Sequence, residues 1–346
     1  MKRKLFVIAG GLLVFLLAFL WFVFGPATKF SSKSEYIYIR DGQDVKMQVQ
    51  RQLAGNNIIR SAGIFNFIAS QFDIWEKIKP GRFEIKKSES IYTLLQTFRH
   101  NFQSPVKLII NKIRVKEDLA RIIGKNFSSD SLMAIHFLTN DDSLQSIGAD
   151  SNTIMSFIIP NTYLLNWNTS VKSIMKRLQD EQQKFWDKDN RLQKASAEGL
   201  SPLQVQVIAS IVEEETNKND EKGNIASVYI NRFNKQMPLG ADPTIKFALK
   251  NFALKRILYN DLNIQSPYNT YKNPGLPPGP ICTASSTTID AVLNAPKTDY
   301  IFFVAKSDFS GYHHFSNNYS EHQQYAKEYQ QALTEWLKRK ALQNQP

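Results

Sequence analysis

The sequence predicts an α+β chain with an N-terminal transmembrane helix, a small α/β module and a larger domain of mixed helices and strands. Three observations carry this. An uncharged apolar stretch, residues 5–25, stands behind Lys2, Arg3 and Lys4. Beyond it, short aromatic and β-branched runs alternate with longer segments of helical periodicity. The remaining length, about 320 of 346 residues, is enough for two hydrophobic cores.

The first element is an anchor. About 21 uncharged residues span about 31 Å as a helix, enough for a bilayer core. Trp21, Phe22 and Phe24 stand at its far end, where an aromatic belt forms. The basic cluster ahead of it keeps the N-terminus cytoplasmic and sends the remainder across. This divides the start of the chain into a cytoplasmic segment (1–4), a transmembrane anchor (5–25) and a polar tether (26–34). A cleaved signal peptide is the alternative. Its apolar region is normally shorter and ends at a small-x-small site, and none is evident here.

Residues 35–112 read as the small module. Residues 36–39 suit a strand and residues 45–53 a helix, with a second helix over 58–72. Lys79-Pro80-Gly81 turns the chain into a strand at 82–85. Residues 88–98 form a capped helix that buries Ile91, Leu94 and Leu95, and 106–110 is another strand. The larger domain, 113–340, is mostly helical to about residue 200. Pro160 makes 157–163 an extended or turn element. Residues 178–198, with dense alternating charge, read as one solvated helix. A buried strand over 300–304 and a terminal helix over 321–333 precede a tail, 341–346.

Composition excludes several chemistries. Cys282 is the single cysteine, so no intramolecular disulfide can form. No Cys/His cluster has zinc spacing and no Gly-rich phosphate loop is present, so neither a metal nor a cofactor is expected. The net charge of +12 is spread along the chain and not massed in one run. That argues against nucleic acid and for an anionic membrane surface or an acidic polymer.

The most informative stretch is Ile-Ala-Ser-Ile-Val-Glu-Glu-Glu-Thr at 208–216. Ser201 suits an N-cap and Pro202 the first helical position. Val205, Ile208, Ile211 and Val212 then share one stripe of an amphipathic helix, with Glu215 near its middle, Glu213 on the far side and Glu214 on the flank. A carboxylate at the end of an apolar face is desolvated, and the resulting rise in pKa suits a general acid. The same pattern also marks an ordinary helix end where a core gives way to charge. Downstream, Asn231 and Arg232 end a helix begun near residue 224. Residues 240–244 form a turn that caps a helix over 245–249, and 285–293 is helical. The proline-rich segment 275–280, with Tyr and Asn side chains just before it, suits sugar recognition through ring stacking and hydroxyl hydrogen bonds.

Taken together and in order, these motifs resemble the endolytic murein transglycosylase family. The match runs through Ala-Ser-Ile-Val-Glu-x-Glu-Thr (209–216), Ala-Ser-Val-Tyr-Ile-Asn-Arg (226–232), Leu-x-x-Asp-Pro-Thr (239–244), Tyr-Asn-Thr-Tyr (268–271), Gly-Leu-Pro-Pro-Gly-Pro-Ile (275–281) and His-x-Phe (313–315). The N-terminal portion is similar to that family's LysM-like subdomain, with Lys-Pro-Gly-x-Phe at 79–83. The chain departs from the family at Met155, Ser156 and Asn161, where Glu, Gly and Asp are typical, and at Gly240 and Ala241, where a polar pair is commoner.

The resemblance implies a lyase with a periplasmic catalytic domain over 113–340, tethered to the cell inner membrane beside peptidoglycan synthases. It would cut the β-1,4 bond between N-acetylmuramic acid and N-acetylglucosamine within peptidoglycan glycan strands, leaving 1,6-anhydro-muramyl ends. Glu215 would serve as acid and then as base. Asn269 and Tyr271 are candidate glycan-binding residues, and Asp242, Thr244, His313 and Asn231 are further ones. Each of those four also has a structural reading: helix N-cap, structural hydroxyl, satisfied histidine, and support for the catalytic helix together with Arg232. Two other functions suit the same residues. One is a non-catalytic peptidoglycan-binding anchor in which Glu215 is idle. The other is a hydrolytic muramidase using Glu215 with Asp242.

Overall fold

A computed structural model describes residues 2–343; residue 1 and residues 344–346, at the ends of the expected N-terminal segment and tail, lie outside the described residues. The chain divides into two compact units. One runs to Leu108 and adds Ile123–Asp130 and Tyr163–Ser170; the other takes Ile109–Ile122, Ser131–Thr162 and the chain from Val171 onward. The two later segments of the first unit are not marked by any local pattern, because periodicity along the chain carries no information on which stretch folds back where.

The first unit opens with α1 (Lys2–Phe24), of which Phe6–Phe24 is long and apolar enough to cross a membrane by length and composition. Strand β1 (Ser34–Ile39) lies antiparallel to β2 (Gly81–Lys86), with Ile37 opposite Phe83. Burial alternates along β2, the two-residue period of a strand with one face on a core. That core is closed by α2 (Val45–Gly55), α3 (Ala62–Gln71), the single turn α4 (Ile74–Lys77) and α5 (Ile91–Arg99). A side-chain oxygen starts each longer helix: Asp44 accepts Met47 N–H at 2.9 Å, Ser61 accepts Ile64 N–H at 3.4 Å and Ser90 accepts Thr93 N–H at 3.1 Å. The cap at Ser61 corrects the helix expected from residue 58. Ile58 and Ile59 instead lie in extended chain, where Ile59 bridges to Thr28.

The remaining elements are β3 (Val106–Ile110), α6 (Lys116–Asn126), α7 (Ser131–Thr139), α8 (Asp141–Gln145), β4 (Asn161–Leu165), α9 (Val171–Trp186), α10 (Arg191–Ala197), α11 (Pro202–Glu215), α12 (Lys222–Asn234), α13 (Asp242–Ala248), α14 (Ser286–Leu293), β5 (Phe302–Ala305), β6 (His313–Ser316) and α15 (Tyr319–Gln343). The strands pair as β1–β2, β3–β4 and β5–β6.

Helix α11 is the axis of the second unit's core. It starts with the capping box of Ser201 and Gln204, and it packs on α12, α13 and α14. From Val205 to Val212 every residue is buried, so the helix is not amphipathic there, contrary to the sequence expectation. Its two polar residues in that stretch each donate a hydrogen bond to a buried carbonyl. Gln206 Nε2 donates to the Ser156 carbonyl at 2.8 Å, and Ser210 Oγ donates to the Val207 carbonyl while accepting Ile281 N–H at 3.0 Å. The Ile281 contact ties the proline-rich segment to the axis. Within that segment Gly279 is buried, and a Cβ there would collide with the Asn152 carbonyl and come within 3.2 Å of the Tyr268 hydroxyl.

The stretch 178–198 is not one solvated helix. The chain breaks at Asp189 and Asn190, both with positive φ, and Arg191 is 8% exposed. Its guanidinium grips both Asp290 oxygens at 2.7 and 3.0 Å, stacks on Phe185 and donates to the Phe185 carbonyl. Asp290 lies 99 residues on, out of reach of any local charge pattern. Two smaller differences follow the same logic. Strand β5 is half-buried, and α15 begins at Tyr319.

Arg191→Met keeps the aliphatic bulk but leaves Asp290 and the Phe185 carbonyl without their donor. It should lower unfolding stability by about 2 kcal/mol, less than for a fully enclosed pair because Asp290 is partly hydrated. Urea melts of both proteins check this, and coincident melts would refute it.

Candidate active site

Helix α11 ends in Glu213, Glu214 and Glu215, and at about 100° per residue the three side chains leave in different directions. Glu213 faces α12 and α14. It meets Lys222 Nζ at 3.3 Å and accepts the Ser285 hydroxyl at 3.0 Å and the Thr288 hydroxyl. The sequence placed Glu213 on the far side of the helix; it is there, yet paired inside the protein and not solvated. Glu214 is held bidentate by Arg114, at 3.0 and 2.9 Å, with Lys112 at 3.3 Å. Among the described residues no ion pair reaches Glu215. Its Oε1 accepts the Tyr229 hydroxyl at 2.6 Å.

That difference sets the chemistry. Burial raises the Glu215 pKa to about 7, opposed by the Tyr229 hydrogen bond. The charge of Asp242 adds to the rise, Lys246 opposes it, and Glu214 raises it slightly further. The residue as a whole is only partly enclosed, and its desolvated carboxyl is poised between protonation states near neutrality. Tyr229 is 1% exposed, and burial together with the charge of Glu215 pushes its phenol well above the ordinary range. It therefore stays a donor.

The other sequence candidates separate into two groups. Asp242 and Tyr271 join the site. Tyr271 donates its hydroxyl to Asp242 Oδ1 at 2.6 Å; the charge of Asp242 raises the Glu215 pKa, and the charge of Glu215 in turn helps raise that of Tyr271. Asp242 is the first residue of α13 and not its N-cap; Ala241 holds that position without a side-chain cap. The helix thus begins earlier than the expected 245.

The second group is committed to the scaffold. Asn269 is fully buried, donates to the Leu262 and Ile264 carbonyls at 2.9 Å each, and accepts Tyr271 N–H at 3.1 Å. It orients Tyr271 and has no free donor for a glycan, which corrects its place among the binding candidates. Thr244, also fully buried, donates to the Ala241 carbonyl and shares a hydrogen bond with Thr270. Asn231 donates to the Thr298 and Tyr300 carbonyls at 2.9 Å each, while Arg232 donates to Ile301 and Leu239 at 2.6 Å each. His313 is bound to Glu221 through its backbone N–H at 2.7 Å and its ring Nδ1 at 2.9 Å. Thr244, Asn231 and His313 are therefore structural in this arrangement. Among the described residues no group of three or more His, Cys, Asp or Glu is placed to hold a metal ion.

Sequence reasoning missed Tyr229 and the Lys112–Arg114 clamp. Tyr229 carried a signal, because a hydroxyl on the apolar face of α12, among Ile225, Ala226 and Ile230, needs a buried partner. The clamp carried none, since Arg114 lies 100 residues from Glu214.

A sequence model of the YceG-like family matches residues 37–328. The endolytic murein transglycosylase of Bacillus subtilis (strain 168) is 36% identical over 193 residues, 56% of this chain and 51% of that protein. The protein of the same name from Streptococcus pneumoniae (strain ATCC BAA-255 / R6) is 28% identical over 329 residues, 86% of this chain and 58% of its own length. The chain thus spans little more than half the length of these curated relatives. Among solved structures, a yceG-like protein from Listeria monocytogenes is similar with a TM-score of 0.55 and 25% identity, covering 85% of this chain and 99% of that one.

The desolvated Glu215 has a stability signature. Its folded pKa of about 7 lies above the unfolded value of about 4.3, so the native state loses stability as pH rises between the two and carries the full penalty above pH 7. Glu215→Gln removes that penalty. The variant should match the unaltered protein at pH 4 and exceed it at pH 8 by on the order of 3 to 4 kcal/mol, a tenfold change in proton affinity being worth about 1.4 kcal/mol. Urea midpoints at both pH values test this, and a variant no more stable at pH 8 would count against a desolvated carboxyl.

Proposed function

The chain belongs to the YceG-like family, and on that premise we propose that it is an endolytic peptidoglycan lytic transglycosylase held to the membrane by residues 5–25. The observation that carries this reading is Glu215, a desolvated carboxyl with a pKa of about 7 whose two neighbouring glutamates are neutralised by cations. The names of the relatives from B. subtilis and S. pneumoniae support the same activity.

The proposed reaction cuts the β-1,4 bond between N-acetylmuramic acid and N-acetylglucosamine inside a glycan strand. Glu215 gives its proton to the glycosidic oxygen as the bond from C1 of the muramic acid breaks. The departing N-acetylglucosamine keeps that oxygen as its C4 hydroxyl. The N-acetyl group of the muramic acid steadies the positive charge at C1, and the C6 hydroxyl of the same sugar forms the new C1–O bond. Glu215 then takes the C6 hydroxyl proton and returns to its starting state. One C–O bond breaks, one forms, and no water enters. A hydrolase needs a second carboxylate to serve as nucleophile or to activate water. Here the nucleophile is intramolecular, and its high effective concentration removes that need. A carboxyl with pKa near 7 suits both proton transfers.

Three further assignments complete the proposal. Residues 35–112 act as a LysM-like module and 113–340 as the catalytic domain. The N-terminus is cytoplasmic, with the remainder on the outer face of the cell inner membrane. The glycan acted on is nascent, beside the synthases that make it. The long apolar helix Phe6–Phe24 supports the topology.

Mass spectrometry of uncrosslinked glycan strands, treated with the detergent-solubilised protein or with Glu215→Gln, tests the reading. The unaltered protein should leave internal 1,6-anhydro ends, and the variant about 10³-fold fewer. Reducing ends would instead indicate a muramidase that uses Asp242 to activate water, and intact strands with binding retained would indicate a non-catalytic anchor. The kcat/KM of the unaltered protein should also fall about tenfold per pH unit above pH 7, as the acid form of Glu215 disappears.

A further inference from the structure

We propose that Tyr229 is the positioning residue of this site: its hydroxyl holds Glu215 by Oε1 and so leaves Oε2 as the one atom that gives and takes the proton. The inference rests on the reading of Glu215 as the acid–base group, and it begins from the 2.6 Å hydrogen bond between the two.

The phenol cannot move away. Tyr229 is 1% exposed, and its ring meets Phe303 edge-on at 5.8 Å. Its helix α12 is tied down by Asn231 and Arg232, whose side chains donate to backbone carbonyls of Thr298, Tyr300, Ile301 and Leu239. A phenylalanine would fill the same space. The hydroxyl adds a polar atom to an apolar shell, which is unfavourable unless that atom has work to do.

The other charged and titratable groups around Glu215 do not replace it. From α12, Arg232 donates to carbonyls. From α13 come Lys246 and Asp242, the latter bonded to the Tyr271 hydroxyl. On α11 itself, Glu214 is clamped by Arg114 and Lys112, and Glu213 by Lys222. Tyr229 is the hydrogen-bond donor that Glu215 receives.

The consequence follows from the chemistry of one group doing two jobs. With Oε1 already accepting an O–H, an added proton settles on Oε2, where it does not disturb that bond. The carboxyl then keeps the same partner as acid and as base, and it need not rotate between the two transfers of a turnover. Donation also favours the charged form, so it offsets part of the burial and keeps both forms accessible near neutrality.

The test is Tyr229→Phe, which preserves the ring and its contact with Phe303. In strand cleavage, kcat should fall about tenfold with KM within twofold, and the basic limb of the kcat/KM profile should move up by about one pH unit. Independently of turnover, ¹³C NMR of carboxyl-labelled glutamate, with Glu215 assigned by its absence in Glu215→Gln, should show the Glu215 midpoint moving up in the variant. An unmoved midpoint overturns the proposal, whatever happens to melting temperature. If the unaltered protein made no anhydro ends while the midpoint still moved, the lyase reading would fall and the Tyr229–Glu215 coupling would stand.

Discussion

A helix ends in a cluster of unsatisfied carbonyls with partial negative charge, and acidic side chains there are unfavourable. Helix α11 ends in three of them, at the tip of a rod whose preceding residues are buried on every side. Water cannot solvate this end freely, so each carboxyl has to be accommodated by the protein. Glu213 and Glu214 are accommodated by cations, Lys222 for one and Arg114 with Lys112 for the other. Glu215 receives a neutral phenol, and its charge is relieved by binding a proton at pH values where an exposed glutamate would not.

The surrounding architecture serves that arrangement. The capping box at Ser201 starts the helix, Ser210 anchors it to the segment at Ile281, and Gln206 anchors it to the Ser156 carbonyl. Ser156 stands where glycine is typical of the resembled family, yet the contact uses the main chain and tolerates the side chain. Asn269, Thr244, Asn231 and Arg232 fix the loop that carries Tyr271, the start of α13 that carries Asp242 and the helix that carries Tyr229. Polar residues that suggest sugar contacts in the sequence are largely satisfying buried backbone, which is the commoner fate of an enclosed amide or hydroxyl.

Much of the local structure was legible. Period-two and helical patterns located β1, β2, β3, α2, α5 and α14, and Pro160 correctly excluded a helix interior. The errors arose where a local pattern has more than one tertiary solution. The helix expected from residue 58 was shortened because Ser61 offers a cap and Ile58 and Ile59 find extended partners. The charged stretch 178–198 was broken because Arg191 found Asp290. The amphipathic reading of α11 failed because Gln206 and Ser210 look solvent-facing until their buried partners are known.

The sequence by itself determined the long apolar N-terminal helix, the periods of many elements, the cap at Ser201, and the position of Glu215 beyond an apolar run, since these depend on neighbours within one or two turns. It also carried the ordered motifs by which the family was recognised. Only the tertiary structure decided which glutamate would lack a cation and which hydroxyl would meet it. Helical geometry sets the direction in which a side chain leaves, but the group waiting there comes from a distant part of the chain. Arg114 reaches Glu214 across 100 residues, and Tyr229 reaches Glu215 from the next helix. Packing chooses those partners, and the partners set the proton affinity.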